Sequence, residues 1–82
     1  MEYTLTMTVP KAPTTHADIH AAVNSAIRNS AVEVRDATWR PTNDDTHYLL
    51  QLAFAAGSRG EADRVALIVA GPFPDRRLTK SW

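Results

Sequence analysis

Large apolar residues alternate with threonine at the start of the chain. Tyr3, Leu5, Met7 and Val9 share one parity, and Thr4, Thr6 and Thr8 share the other. A period of two puts the two sets on opposite faces of an extended backbone, so Glu2–Val9 is predicted as a strand with one core face and one wet, β-branched face. Pro10 and Pro13 stop it, because neither has an N–H for a ladder. The same alternation returns at His47–Phe54. Tyr48, Leu50, Leu52 and Phe54 form a large apolar face, and His47, Leu49, Gln51 and Ala53 form a mixed one. A strand apolar on one side and half apolar on the other belongs at the centre of a sheet.

Between them the period changes. Over Thr14–Asn29, Ile19, Ala22, Val23, Ala26 and Ile27 recur at spacings of three and four, which gives a single helical stripe. Thr15 and Asp18 have the spacing of a capping box, with aspartate in place of glutamate. Ala31–Trp39 reads as a further strand whose parity slips: Val32 and Val34 share a face, and Ala37 and Trp39 do not follow it. A bulge at Arg35-Asp36 would reunite them on the core face; without one, Trp39 points away from Val32. Arg40–Asp45 has turn composition, so this strand and the next make a hairpin.

Ser58 and Glu61 form a second capping-box spacing, ahead of Ala62, Val65, Ala66 and Val69 on one helical face, with Gly71 and Pro72 as a stop. Arg59–Ala70 is therefore expected to be a helix, against the rival reading of Val65–Val69 as a buried strand. Residues 1–75 form one α+β domain in this reading. Residues 76–82 are either a basic aromatic tail or a short edge strand with Leu78 inward. The order β-α-β-β-α, with an optional last β, is the ferredoxin-like split βαβ plan: a mainly antiparallel sheet with two helices on one face. The expected core joins the two alternating apolar faces to Ile19, Val23, Ile27, Val65 and Val69.

Composition narrows the function more than it identifies it. An 82-residue chain forms one small domain, too small for a deep enclosed active site in a monomer. Nine basic and nine acidic side chains cancel, so no long-range field draws in nucleic acid or an anionic membrane. Without cysteine there is no disulfide, thiolate chemistry or Cys-type zinc site. No apolar run approaches the roughly 20 residues of a membrane span, and no secretory leader is visible, so a cytoplasmic location is expected. Seven of the nine basic residues are arginine and alanine is the commonest residue, a composition associated with GC-rich bacteria and their phages.

Candidate chemistry is sparse. His16 and His20, four apart on a helix, have a spacing that can place two imidazoles on one metal, but no glutamate follows His16 and His47 is expected on the far face of the sheet. Asp44-Asp45 does not match a calcium loop, and the Gly57–Gly60 turn lacks the lysine and spacing of a phosphate loop. No serine sits in a nucleophile motif. The stacking aromatics of an RNA-recognition sheet are absent from the Thr4-Thr6-Thr8 and Leu49-Gln51-Ala53 faces. No catalytic residue, cofactor or metal is therefore assigned.

Surface remains. An uncharged, partly apolar sheet face carrying Leu49 and Gln51, and Trp39 if no bulge intervenes, suits a protein contact. Arg76, Arg77 and Trp82 near the C-terminus offer a second one. The expectation is a non-catalytic protein–protein interaction domain, in its simplest form a homodimer through the open sheet face. The alternative is a weak single-stranded nucleic-acid binder using Arg76, Arg77, Lys80 and Trp82.

Overall fold

The computed structural model describes residues 1–12, 14–30 and 32–82. Six elements follow in chain order: β1 (Glu2–Pro10), α1 (His16–Arg28), β2 (Glu33–Pro41), β3 (His47–Ala55), α2 (Arg59–Ala70) and β4 (Arg77–Lys80). The strands form one antiparallel sheet in the order β2-β3-β1-β4. β1 and β3, the two strands with the cleanest alternation, are its central pair. The chain is a ferredoxin-like α+β domain, and the segment after residue 75 is resolved as strand rather than tail.

Register carries the alternation into packing. Leu5 lies opposite Leu52, Met7 opposite Leu50 and Tyr3 opposite Phe54. All six are buried under the helices, with Ile19, Ala22, Val23 and Ala26 from α1 and Ala62, Val65, Ala66 and Val69 from α2. Ile27 departs from this pattern and is 43% exposed. Each step of four residues turns a helical position by about 40°, so by Ile27 the stripe has drifted to the flank of α1.

Both helix starts are built by their caps. The Thr15 hydroxyl accepts from the Asp18 N–H at 3.2 Å, and the Asp18 carboxylate accepts from the Thr15 N–H at 2.9 Å, a closed capping box. Ser58 likewise accepts from the Glu61 N–H, but Glu61 reaches past the cap to the Gly57 N–H at 2.9 Å. Replacing Thr15 with alanine leaves the Asp18 N–H without its partner. The expected cost is about 1 kcal/mol, read as a lowered urea midpoint with an unchanged slope.

The parity slip in β2 is a bulge. The register shifts between Val34 and Asp36, so Val34, Ala37 and Trp39 all lie opposite core positions of β3: Phe54, Leu52 and Leu50. Trp39 is half-buried on the helix side, 6.0 Å from the His20 ring. Among the described residues no helix is long and apolar enough to cross a membrane.

Candidate interaction surface

The bulge also decides what lies on the other side of the sheet. Arg35 and Asp36 follow one another at the bulge, and Asp36, Thr38 and Arg40 fall opposite Ala53, Gln51 and Leu49 on the open face. Across all four strands the face is a stack of rows. The central row is Thr38, Gln51, Thr6 and Thr79; the next is Arg40, Leu49, Thr8 and Arg77. Toward the other end lie Asp36, Ala53 and Thr4, then Glu33, Ala55 and Glu2.

Charge is segregated along the strands. At one end Arg35 reaches over Ala55, binding Glu33 at 2.8 Å and Glu2 at 3.1 Å. The small Ala55 side chain leaves room for that strap. Asp36 adds a third carboxylate in the next row, opposite Ala53, against the one guanidinium, so this end is negative. At the other end Arg40 and Arg77 flank Leu49 and Thr8. Between them the central row, Thr38-Gln51-Thr6-Thr79, holds no charge, and neither do the β3 and β1 positions on either side of it. Ala53, Leu49, Thr6 and Thr8 are half-buried, and Gln51 and Thr38 are exposed.

The positive end opens into a cleft of about 750 Å³ whose lining includes Thr8, Asp44, His47, Asp75, Arg76 and Arg77. Its rim is the β2–β3 turn, which is tightly tied. The Thr42 hydroxyl donates to Asp44 at 2.6 Å, and the Thr46 hydroxyl and N–H donate to the same carboxylate oxygen. These bonds hold the Asp44 carboxyl at about 2, so it stays ionised through the neutral range. Asp45, at positive φ, binds Lys11 at 2.7 Å, and this bond raises the lysine pKa. A second depression, about 490 Å³, lies between α1 and the turn after α2, among Val9, Ala22, Ile68 and Phe73.

The structure divides the residues expected to form the contact. Leu49, Gln51 and Arg77 share the open face, and Arg76 stands at its positive end, with its guanidinium 3.5 Å from the Phe73 carbonyl. Trp39 does not join Leu49, because the bulge turns it to the opposite side. Trp82 is not a free contact residue either. Its ring meets Tyr3 at 5.3 Å and Phe54 at 5.8 Å, both edge-on, and its indole N–H donates to Asp63 on α2 at 2.9 Å. Lys80 binds the same carboxylate at 3.0 Å. The Trp82 and Lys80 bonds together hold the Asp63 pKa below its usual value. Of the four side chains expected to bind single strands, these two are thus engaged within the fold, while Arg76 and Arg77 remain exposed.

His16 and His20 pack on aromatic rings. His16 lies 4.7 Å from Tyr48, and His20 lies near Trp39 with its Nδ1 3.3 Å from the Asn24 amide. His47 is on the open face, with its Nδ1 2.7 Å from the Thr46 hydroxyl. Among the described residues no three His, Asp or Glu side chains converge on a point that could hold a metal ion. Asp36, Thr38, Arg40 and Thr79 are the face residues that sequence reasoning missed. The signal for the first three was the bulge itself, since accepting it for Trp39 places its neighbours on the open side.

The sheet order and the bare face define a class, the two-layer ferredoxin-like domain with one uncovered side. Solved structures agree on the fold. A formyltetrahydrofolate deformylase from Burkholderia mallei superposes with a TM-score of 0.66 at 17% identity, over 96% of this chain and 27% of that one. The C-terminal domain of the MgtC protein from Mycobacterium tuberculosis gives 0.66 at 12% identity, over 98% of this chain and 86% of that domain. A formyltetrahydrofolate deformylase from Pseudomonas putida gives 0.67 at 10% identity, over all of this chain and 29% of that one. The chain thus spans little more than a quarter of the deformylases and most of the MgtC domain. No protein-family model matches it, and no curated protein matches it in sequence.

Proposed function

We propose that this chain is a small, cytoplasmic, non-catalytic interaction domain that pairs with a second copy of itself through the open sheet face. One observation carries the reading: a single face with an uncharged Thr-Gln-Leu-Ala centre and opposite charges at its two ends. Such a surface is complementary to its own copy. The sheet edges point the same way by exclusion. β2, the long edge strand, carries a bulge, a terminal proline and four charged side chains, all devices that discourage edge pairing. β4 has four residues, too few for a strong edge contact.

Size sets the strength. Three nine-residue strands about 30 Å long and one four-residue strand about 13 Å long, spaced about 4.8 Å apart, make a face of roughly 500 Å². Pairing two such faces removes on the order of 1,000 Å² from water, the low end of interface sizes, which fits a weak, reversible dimer. Light scattering across a concentration series is expected to show a reversible monomer–dimer equilibrium. Gln51→Arg puts two like charges near each other at the centre of the pair, and the dissociation constant should rise at least about tenfold. Gln51 is exposed, so the thermal midpoint of the monomer should hardly move. A chain that stays monomeric at its highest soluble concentration overturns the proposal.

A further inference from the structure

We infer that the second copy docks end for end, with the two-fold axis running across the strands through the central row Thr38-Gln51-Thr6-Thr79. This rests on the self-pairing reading above and adds the arrangement to it. Two sheets packed face to face with their strands aligned can be related by a two-fold axis along the strands or across them. An axis along the strands keeps each end over its own kind. Glu2, Glu33 and Asp36 would then crowd against the carboxylate end of the copy, and Arg40 would lie over Arg77 of the copy and Arg77 over its Arg40. An axis across the strands reverses one copy, so that the carboxylate end of each lies over the arginine end of the other. The contact repeats twice, once at each end, as an isologous interface requires.

The centre is compatible with that axis. Thr6, Gln51, Thr38 and Thr79 meet their own copies there, and hydroxyls and amides can both donate and accept, so identical residues can pair without an orphaned donor. Ala53 and Thr4, the small residues on one side of the row, oppose Leu49 and Thr8 on the other. Reversal therefore sets the largest apolar side chain of the face over a small one at both ends. The loops beyond the positive end weaken its charge without reversing it: Asp45 is paired with Lys11, Asp75 shares the cleft with Arg76, and the ionised Asp44 on the rim stands against both Arg40 and Arg77.

The chain has no cysteine, so single thiols can be placed at will. Thr4, Thr6 and Thr8 lie on one strand of the face, and Thr4 and Thr8 are about 13 Å apart. Three full-length variants, Thr4→Cys, Thr6→Cys and Thr8→Cys, are treated singly and in mixtures with a bis-maleimide shorter than that separation. End-for-end docking predicts that Thr6→Cys links to itself and that Thr4→Cys links efficiently only when mixed with Thr8→Cys. It also predicts that the wild-type dissociation constant rises several-fold as salt screens the paired ends. If Thr4→Cys and Thr8→Cys each link to themselves, and added salt tightens the dimer, the arrangement is overturned while pairing through this face stands. A dimer in light scattering that gives no cross-link at any of the three positions overturns the face itself.

Discussion

Truncating Phe54 to alanine is expected to cost about 3–5 kcal/mol and to lower the melting midpoint by roughly 12 °C or more. Phe54 has no exposed surface, and its ring is the meeting point of the core. Tyr3 lies 5.9 Å away across the β1–β3 ladder, and Trp82 stands edge-on at 5.8 Å from beyond β4. Removing the ring forfeits its burial and two aromatic contacts, and it leaves a cavity walled by backbone-anchored neighbours that cannot close in. A domain of this length is stable by only about 4–12 kcal/mol, so the loss is a large share of the whole. Circular dichroism melts check the value. Leu67→Ala on the outer face of α2, where the side chain is 71% exposed, is the control and should shift stability by no more than about 0.5 kcal/mol. A Phe54→Ala midpoint within a few degrees of wild type would contradict the packing described.

Most of the fold was legible because local and long-range preferences agree. In β1 and β3 every second residue is large and apolar, so face assignment follows from parity alone, and two such strands can hide those faces only by lying side by side under the helices. α2 was the ambiguous element, since Val65–Val69 is apolar throughout; the caps at its two ends, Ser58 and Gly71, decided it, because a hydroxyl satisfying a helical N–H and a C-terminal glycine stop have no counterpart in a strand. β4 was not legible. Arg77, Thr79 and Lys80 surround a single inward Leu78, and what makes this segment a strand is the free edge of β1, about 70 residues earlier in the chain.

The candidate site was legible only in its centre. Leu49 and Gln51 could be placed on the open face from β3 alone. The charged ends could not, because they depend on how β2 registers against β3 and on which residue the bulge leaves over. The two tryptophans show the same limit. Each looks like a contact residue in sequence, an aromatic in a polar stretch. Trp39 is turned inward by a bulge four residues upstream of it, and Trp82 is held by Asp63 and by two rings that only the folded sheet brings near. An isolated aromatic therefore marked burial in both cases, while the surface proposed for pairing is made of residues that carry little signal singly.

Ending the chain after Gly71 is expected to abolish cooperative folding. The cut removes Phe73, 5% exposed in the core, together with β4, Leu78 and Trp82. Burial of Phe73 alone contributes about 2–3 kcal/mol, and the half-buried Leu78 and Trp82 add a comparable amount. Beyond that, β1 becomes an edge. Its residues Leu5–Thr8 lose the ladder to Arg77–Lys80, and Thr4 loses its bonds to Ser81 at 2.9 and 3.0 Å. A nine-residue strand with a fully apolar core face would then offer an unpaired edge and uncovered Tyr3 and Phe54, which favours association of partly folded chains over refolding. The sum approaches the total stability of a domain this size. A shorter cut that removes only Trp82 keeps the strand and loses the ring and its bond to Asp63; it should remain folded with a midpoint lower by about 10–20 °C. Amide dispersion in a nitrogen–proton NMR spectrum separates the outcomes: collapsed for the long cut, native-like for the short one. A long cut that melts cooperatively near the full-length midpoint would mean that residues 72–82 lie on the domain without holding it together.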